Sequence, residues 1–333
     1  MSRPPAVKPP AWGRPSLRAT LGIAVSGAFL IGAARAAISP VTAFGSNPGA
    51  LRMLVHAPAG LRAGRPLVIV LHGCGQDASR FATDAGWLAL AERFQVALLL
   101  PQQTHDNNHG RCFNWFRPQD TQHGAGEAMS IRQMVRTAVK RFGSDPRRIY
   151  VTGFSAGGGM AAAMLAAYPA LFAAGAVVAG LPVGCARTPL GAMLNMRQAN
   201  LGRSREALAD DVRSAGRSRL RKTWPRLSIW QGERDRTVDP GNAEVLAAQW
   251  GELHGFGPVP VIDQSAQGTR RRGWGRPGRS PAVELWTLAS VGHGFPVDAR
   301  MPGGGRPGVW MVDAGLCAAQ RIAEFWGLKR PEP

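Results

Sequence analysis

The chain has 333 residues, 45% of them hydrophobic and 18% charged, which is enough apolar material for a buried core and excludes a disordered tail protein. A formal charge of +19 comes largely from arginines clustered in RSREALADDVRSAGRSRLRK and TRRRGWGRPGR. No nucleic-acid-binding motif accompanies these clusters, so they are read as a solvated basic surface and no nucleic-acid partner is expected.

At the N-terminus, Arg3, Lys8, Arg14 and Arg18 precede an apolar run from Ala19 to Ala34, and ARA at 34–36 offers the small residues that an export peptidase reads. The segment 1–36 is therefore expected to be a signal peptide, with a mature chain starting near Ala37 in the periplasm or outside the cell. A leader on a cytoplasmic enzyme is the alternative. The run is too rich in glycine and alanine for a stable membrane span.

After the leader, strand and helix patterns alternate in one expected domain, 37–333. LRMLVHAP places Leu51, Met53 and Val55 on one face, as in a strand buried on one side. RPLVIVLHG and QVALLLP are continuous apolar runs suited to strands covered on both faces, with a helix expected over DAGWLALAERF between them. GEAMSIRQMVRTAVKRFG repeats Ile131, Met134, Val135, Ala138, Val139 and Phe142 at helical steps and stops at Gly143. IYVTGF reads as a strand, SAGGGMAAAMLAAYP as a helix closed by Pro169, and FAAGAVVAG, LSIWQGERD and VELWTLA as further strands. The alternation predicts an α/β fold with a mostly parallel central sheet flanked by helices. Segment 186–224, arginine-rich and weakly patterned, is expected to be an insertion or lid.

The chemistry centres on Ser155. Gly153 and Gly157 flank it at G-x-S-x-G spacing, between a strand and a helix, the context in which a sharp turn presents a serine hydroxyl at the end of a sheet. A serine hydroxyl needs a base in contact and a third group to orient that base. Asp235, in the loop after LSIWQGERD, is the preferred acid, with Glu233 and Asp239 as competitors. His293, between Gly292 and Gly294 after VELWTLA, is the base, while His254 is read as a helix C-terminal cap. The backbone amides of Ala156 and, in the loop VLHGCGQD, of Cys74 are expected to form an oxyanion hole, with His72 beside it. Cys74, Cys112, Cys185 and Cys317 lack any C-x-x-C spacing, so no metal is expected, nor any organic cofactor. Cys74 and Cys112 both follow predicted strands and are candidates for a bridge.

Six ordered blocks, LVIVLHGCGQD, LLLPQQTHDNNHGRCFNWF, GEAMSIRQMV, VTGFSAGGGMAAAMLAAYPALFAAGAVVAGLPVGC, SIWQGERDRTVDPGNAE and VGHGF, resemble the polyhydroxybutyrate depolymerase family of esterases within the α/β-hydrolase superfamily. The resemblance implies Ser155 as nucleophile, Asp235 as acid and His293 as base, and it places Phe113, Asn114 and Trp115 near the cleft as ester-binding residues. It also implies a small ester or oligomeric polyester as substrate. Soluble oligomers are expected over solid polymer, since no separate substrate-binding domain follows AEFWGL. Feruloyl or acetyl-xylan ester hydrolysis is the alternative, and a non-catalytic basic binding protein on the same fold is the rival class.

Overall fold

The computed structural model describes Ser2 and residues 37–216 and 223–330, so the leader reading lies outside the described residues. Ten strands form one sheet. Its parallel centre runs, from one side to the other, β4 (Ala97–Gln102), β3 (Leu67–Leu71), β5 (Ile149–Phe154), β6 (Ala174–Val178), β7 (Arg226–Gly232) and β10 (Val283–Leu288). Antiparallel strands finish both edges: β2 (Arg52–His56) and β1 (Ser39–Val41) beside β4, and β9 (Thr269–Trp274) and β8 (Ile262–Ala266) beside β10.

The continuous apolar run of β3 follows from its place. Leu67, Ile69 and Leu71 join one core layer, with α4 (Gly126–Phe142), α5 (Ala156–Ala167), α7 (Arg205–Ala215) and α8 (Gly241–Leu253). Val68 and Val70 face the opposite layer, under α1 (Ala78–Asp84), α2 (Trp87–Phe94) and α9 (Ala318–Phe325). Successive side chains of a strand point to opposite faces, so a sheet covered twice leaves no polar position to alternate with.

Three expectations are revised. The helix expected over DAGWLALAERF is α2, but it starts only at Trp87, because the left-handed Gly86 (φ 85°) separates it from α1, a preceding helix capped by Asp77. Within 186–224, the described residues hold α6 (Pro189–Arg197) and α7, and α7 buries Leu208, Ala209 and Val212, which makes it part of the core. TRRRGW is β9, and its charge is matched: Arg270 pairs with Asp263 at 2.7 Å, Arg271 with Glu284 at 2.8 Å, and Arg272 with Glu244. Its partner β8 is mostly exposed, so it lacks the apolar alternation that marks a half-buried strand.

Candidate active site

Ser155, Asp235 and His293 follow the carboxyl ends of β5, β7 and β10, where ligand-handling groups gather in open α/β sheets. Ser155 adopts φ 55°, ψ −119°, a strained conformation for a residue with a side chain, and its amide is bonded to the Val178 carbonyl. The flanking glycines are there for close approach. A Cβ on Gly157 would lie 2.3 Å from the Leu71 carbonyl oxygen and 2.4 Å from that of His72, and one on Gly153 would lie 2.0 Å from the Gly157 carbonyl oxygen. The start of α5 is thereby pressed onto the end of β3 and the loop carrying Cys74.

His293 Nε2 lies 3.0 Å from Ser155 Oγ, and its Nδ1 lies 2.8 Å from Asp235 Oδ2. A carboxylate only accepts, so Nδ1 carries the proton and Nε2 faces the hydroxyl as an acceptor. Phe154 and Trp310 flank the imidazole, with ring centroids 5.0 and 5.7 Å away. Asp235 is the acid that meets His293. Glu233 is exposed, and Asp239 accepts the Gly241 N–H in a turn at the start of α8. Burial opposes the charge on Asp235, but the bond and charge of His293 and the amides of Val238 and Thr237 outweigh it and hold the carboxyl below its usual range. A hydroxyl joined in this way to an imidazole and a buried carboxylate is able to give up its proton to Nε2 as it attacks an electrophile.

Gln231 is the residue that sequence reasoning missed. Its side-chain amide donates to Asp235 Oδ2 at 3.1 Å, the same oxygen that receives His293. Ala156 opens α5, where first-turn amides have no acceptor within the helix. Cys74 is exposed in the adjacent loop, bridged to Cys112, and Arg111 donates to the Gly75 carbonyl at 2.7 Å. Cys185 and Cys317 are free thiols.

Three residues expected near the substrate are corrected. His72 is wholly buried; its Nε2 accepts the Gln103 amide and its Nδ1 donates to the Gly73 carbonyl. Burial pushes its pKa down to about 4, so it holds the loop as a neutral ring. Phe113 and Asn114 are also wholly buried, Phe113 against His72 and Asn114 on Glu127, so neither presents a side chain at the surface. Trp115 is half-buried and lies over α5: a Cβ on Gly159 would come within 2.8 Å of its Cγ. His254 is the C-cap residue of α8, as expected, although its ring reaches the Pro225 carbonyl.

The family model described as Esterase PHB depolymerase matches residues 51–281. The chain is 37% identical over 294 residues to poly(3-hydroxyalkanoate) depolymerase C of Paucimonas lemoignei, covering 88% of this chain and 70% of that protein. It is 30% identical over 264 residues to feruloyl esterase B of Thermothelomyces thermophilus, covering 78% and 87% respectively. An acetyl xylan esterase structure from Aspergillus awamori shares the fold, with a TM-score of 0.75 at 22% identity over 88% of this chain and all of that one. The protein therefore belongs to the Esterase PHB depolymerase family and is a carboxylic ester hydrolase of the α/β-hydrolase fold.

Proposed function

We propose that the protein is a serine esterase of short-chain or 3-hydroxyalkanoate esters that works through Ser155, His293 and Asp235. The observation that carries this reading is the unbroken relay from Asp235 Oδ2 through His293 to Ser155 Oγ, at 2.8 and 3.0 Å. Ser155 Oγ attacks the ester carbonyl while His293 Nε2 takes its proton, and the Cys74 and Ala156 amides receive the negative oxygen of the tetrahedral intermediate. Asp235 stabilises the imidazolium. Its proton then passes to the departing alkoxide, which leaves as the alcohol. Water, deprotonated by His293, attacks the acyl-serine, and the acid is released as Ser155 recovers its proton.

An apolar rim supports an acyl or polyester chain as the ligand. Trp310, 44% exposed, flanks His293, and its chain neighbour Val309 is 81% exposed. α6 exposes Leu190, Met193 and Leu194 and is tied to the loop after Asp235, where the Met196 carbonyl accepts the Asp239 amide at 2.7 Å. Trp115 is proposed to complete the rim over α5. The Cys74–Cys112 bridge supports an oxidising compartment, as secretion or a periplasmic location would provide, and no described helix is long and apolar enough to cross a membrane. The relatives named as feruloyl and acetylxylan esterases favour a carbohydrate-ester substrate as the second reading.

Hydrolysis rates on 3-hydroxybutyrate oligomers, methyl ferulate and acetylated xylan separate the two. The first reading expects the highest kcat/KM on the oligomers. A preference for ferulate or xylan acetate would replace it with the second.

A further inference from the structure

The basic surface is not uniform. Arg270, Arg271 and Arg272 each face a carboxylate, whereas Arg132 and Arg136, one turn apart on α4, enter no ion pair among the described residues. Like charges at that spacing repel each other. The two arginines line a cleft of about 280 Å³ together with His123, Gly124, Gln133 and Tyr168, and no carboxylate lines it. The Arg132 guanidinium sits 5.9 Å over the Tyr168 ring, and the His123 ring lies tilted against the same ring with centroids 4.6 Å apart. His123 Nδ1 is buried and has no hydrogen-bond partner among the described residues, an unusual state for a polar atom within a protein. Gln133 is already committed to Ser46 and the Asn47 amide, so the arginines and His123 supply the available polar groups.

From these residues we infer that the cleft between α4 and the end of α5 is a binding site for a small oxyanion, a phosphate or a carboxylate. Guanidinium groups match the two-oxygen edge of either anion, and the His123 ring lines the same cleft. Tyr168 ends α5 and Ser155 begins it, so the 12-residue helix, about 18 Å long, separates this cleft from the candidate active site. The site is therefore independent of the ester chemistry.

The test uses the full chain with isotope-labelled histidines, titrated with inorganic phosphate and separately with acetate at constant ionic strength. The ring signal of His123 is followed and assigned through His123→Gln. A saturable shift is expected with at least one anion. In Arg132→Gln/Arg136→Gln the affinity should fall by about tenfold or more, as expected on losing charge-assisted hydrogen bonds. Hydrolysis of p-nitrophenyl butyrate should stay within about twofold, because distant sites act independently. Tighter phosphate binding identifies a phosphate site and tighter acetate binding a carboxylate site. No saturable shift with either anion, or an unchanged affinity in the variant, overturns the inference. If the double variant does not fold, Arg136→Gln alone, at an exposed position, must still weaken binding.

Discussion

Asp235 and Glu127 are both buried carboxyls that accept several hydrogen bonds, yet their surroundings push them in opposite directions. Asp235 faces an imidazole and two backbone amides and is held below the usual carboxylate range. Glu127 accepts from Gln103, Asn107 and both the amide and the side chain of Asn114, but burial and the neighbouring charge of Asp120 push its pKa up to about 8. At Asp235 the bonds from His293 and two amides outweigh burial, whereas at Glu127 burial, reinforced by the Asp120 charge, outweighs the accepted bonds. One carboxyl is thus suited to support a proton-accepting base. The other pins the loop that is bridged to Cys74 and carries Trp115 over α5.

Substitution in the two places should separate these roles. Asp235→Asn is expected to lower kcat by about 10³–10⁴-fold, the scale seen when a catalytic histidine loses its orienting carboxylate. Glu127→Gln should cost about tenfold or less, because it touches no reacting atom. Comparable losses of kcat on p-nitrophenyl butyrate would erase the distinction.

The two groups should also leave opposite marks on stability. Asp235 has a lowered folded pKa, so its contribution is present above the ordinary carboxylate range and is lost as pH falls through the folded value. Glu127 is raised, so stability is highest below its ordinary pKa of 4.5 and is lost as pH rises toward about 8. Calorimetric melting between those two values should show wild type losing stability with rising pH and Glu127→Gln losing less. An unchanged slope in the variant would mean that Glu127 is ionised at little cost in the folded protein.

Smaller effects sharpen the picture near Asp235 and Trp115. Removing the amide in Gln231→Leu takes one donor from Asp235 Oδ2 and should lower kcat by about threefold to tenfold. It should also move the acid limb of the kcat/KM profile to higher pH, since a less stabilised carboxylate holds the imidazolium more tightly. A structural role alone would lower the melting temperature without moving that limb. Gly159→Ala crowds the Trp115 indole and should change KM by about threefold with little change in kcat.

Much of this architecture was legible in the sequence because it depends on local pattern. The strand, glycine-flanked serine and helix order singled out Ser155, and glycines on either side of a histidine after a strand singled out His293, two side chains that the fold brings within 3.0 Å. The buried runs of β3 and β4 read correctly because both faces of the sheet are covered. What escaped depends on contacts between distant segments. Glu127 reads as an ordinary acid in the first turn of a helix, and only the fold shows it buried under the 103–114 loop. Gln231 lies only four residues before Asp235, but nothing in a strand-end pattern shows that the turn after β7 folds the carboxylate back onto its side-chain amide. Phe113 and Asn114 were expected at the cleft beside Trp115, but the packing of His72 and Glu127 draws them inward.

The most direct test of the central claim is to treat wild type and Ser155→Ala with an aryl phosphonate ester and map the adduct by peptide mass. A single adduct on Ser155, with no labelling and no esterase activity in the variant, is the predicted result. Labelling of another residue, or full hydrolysis of p-nitrophenyl butyrate by Ser155→Ala, would contradict it.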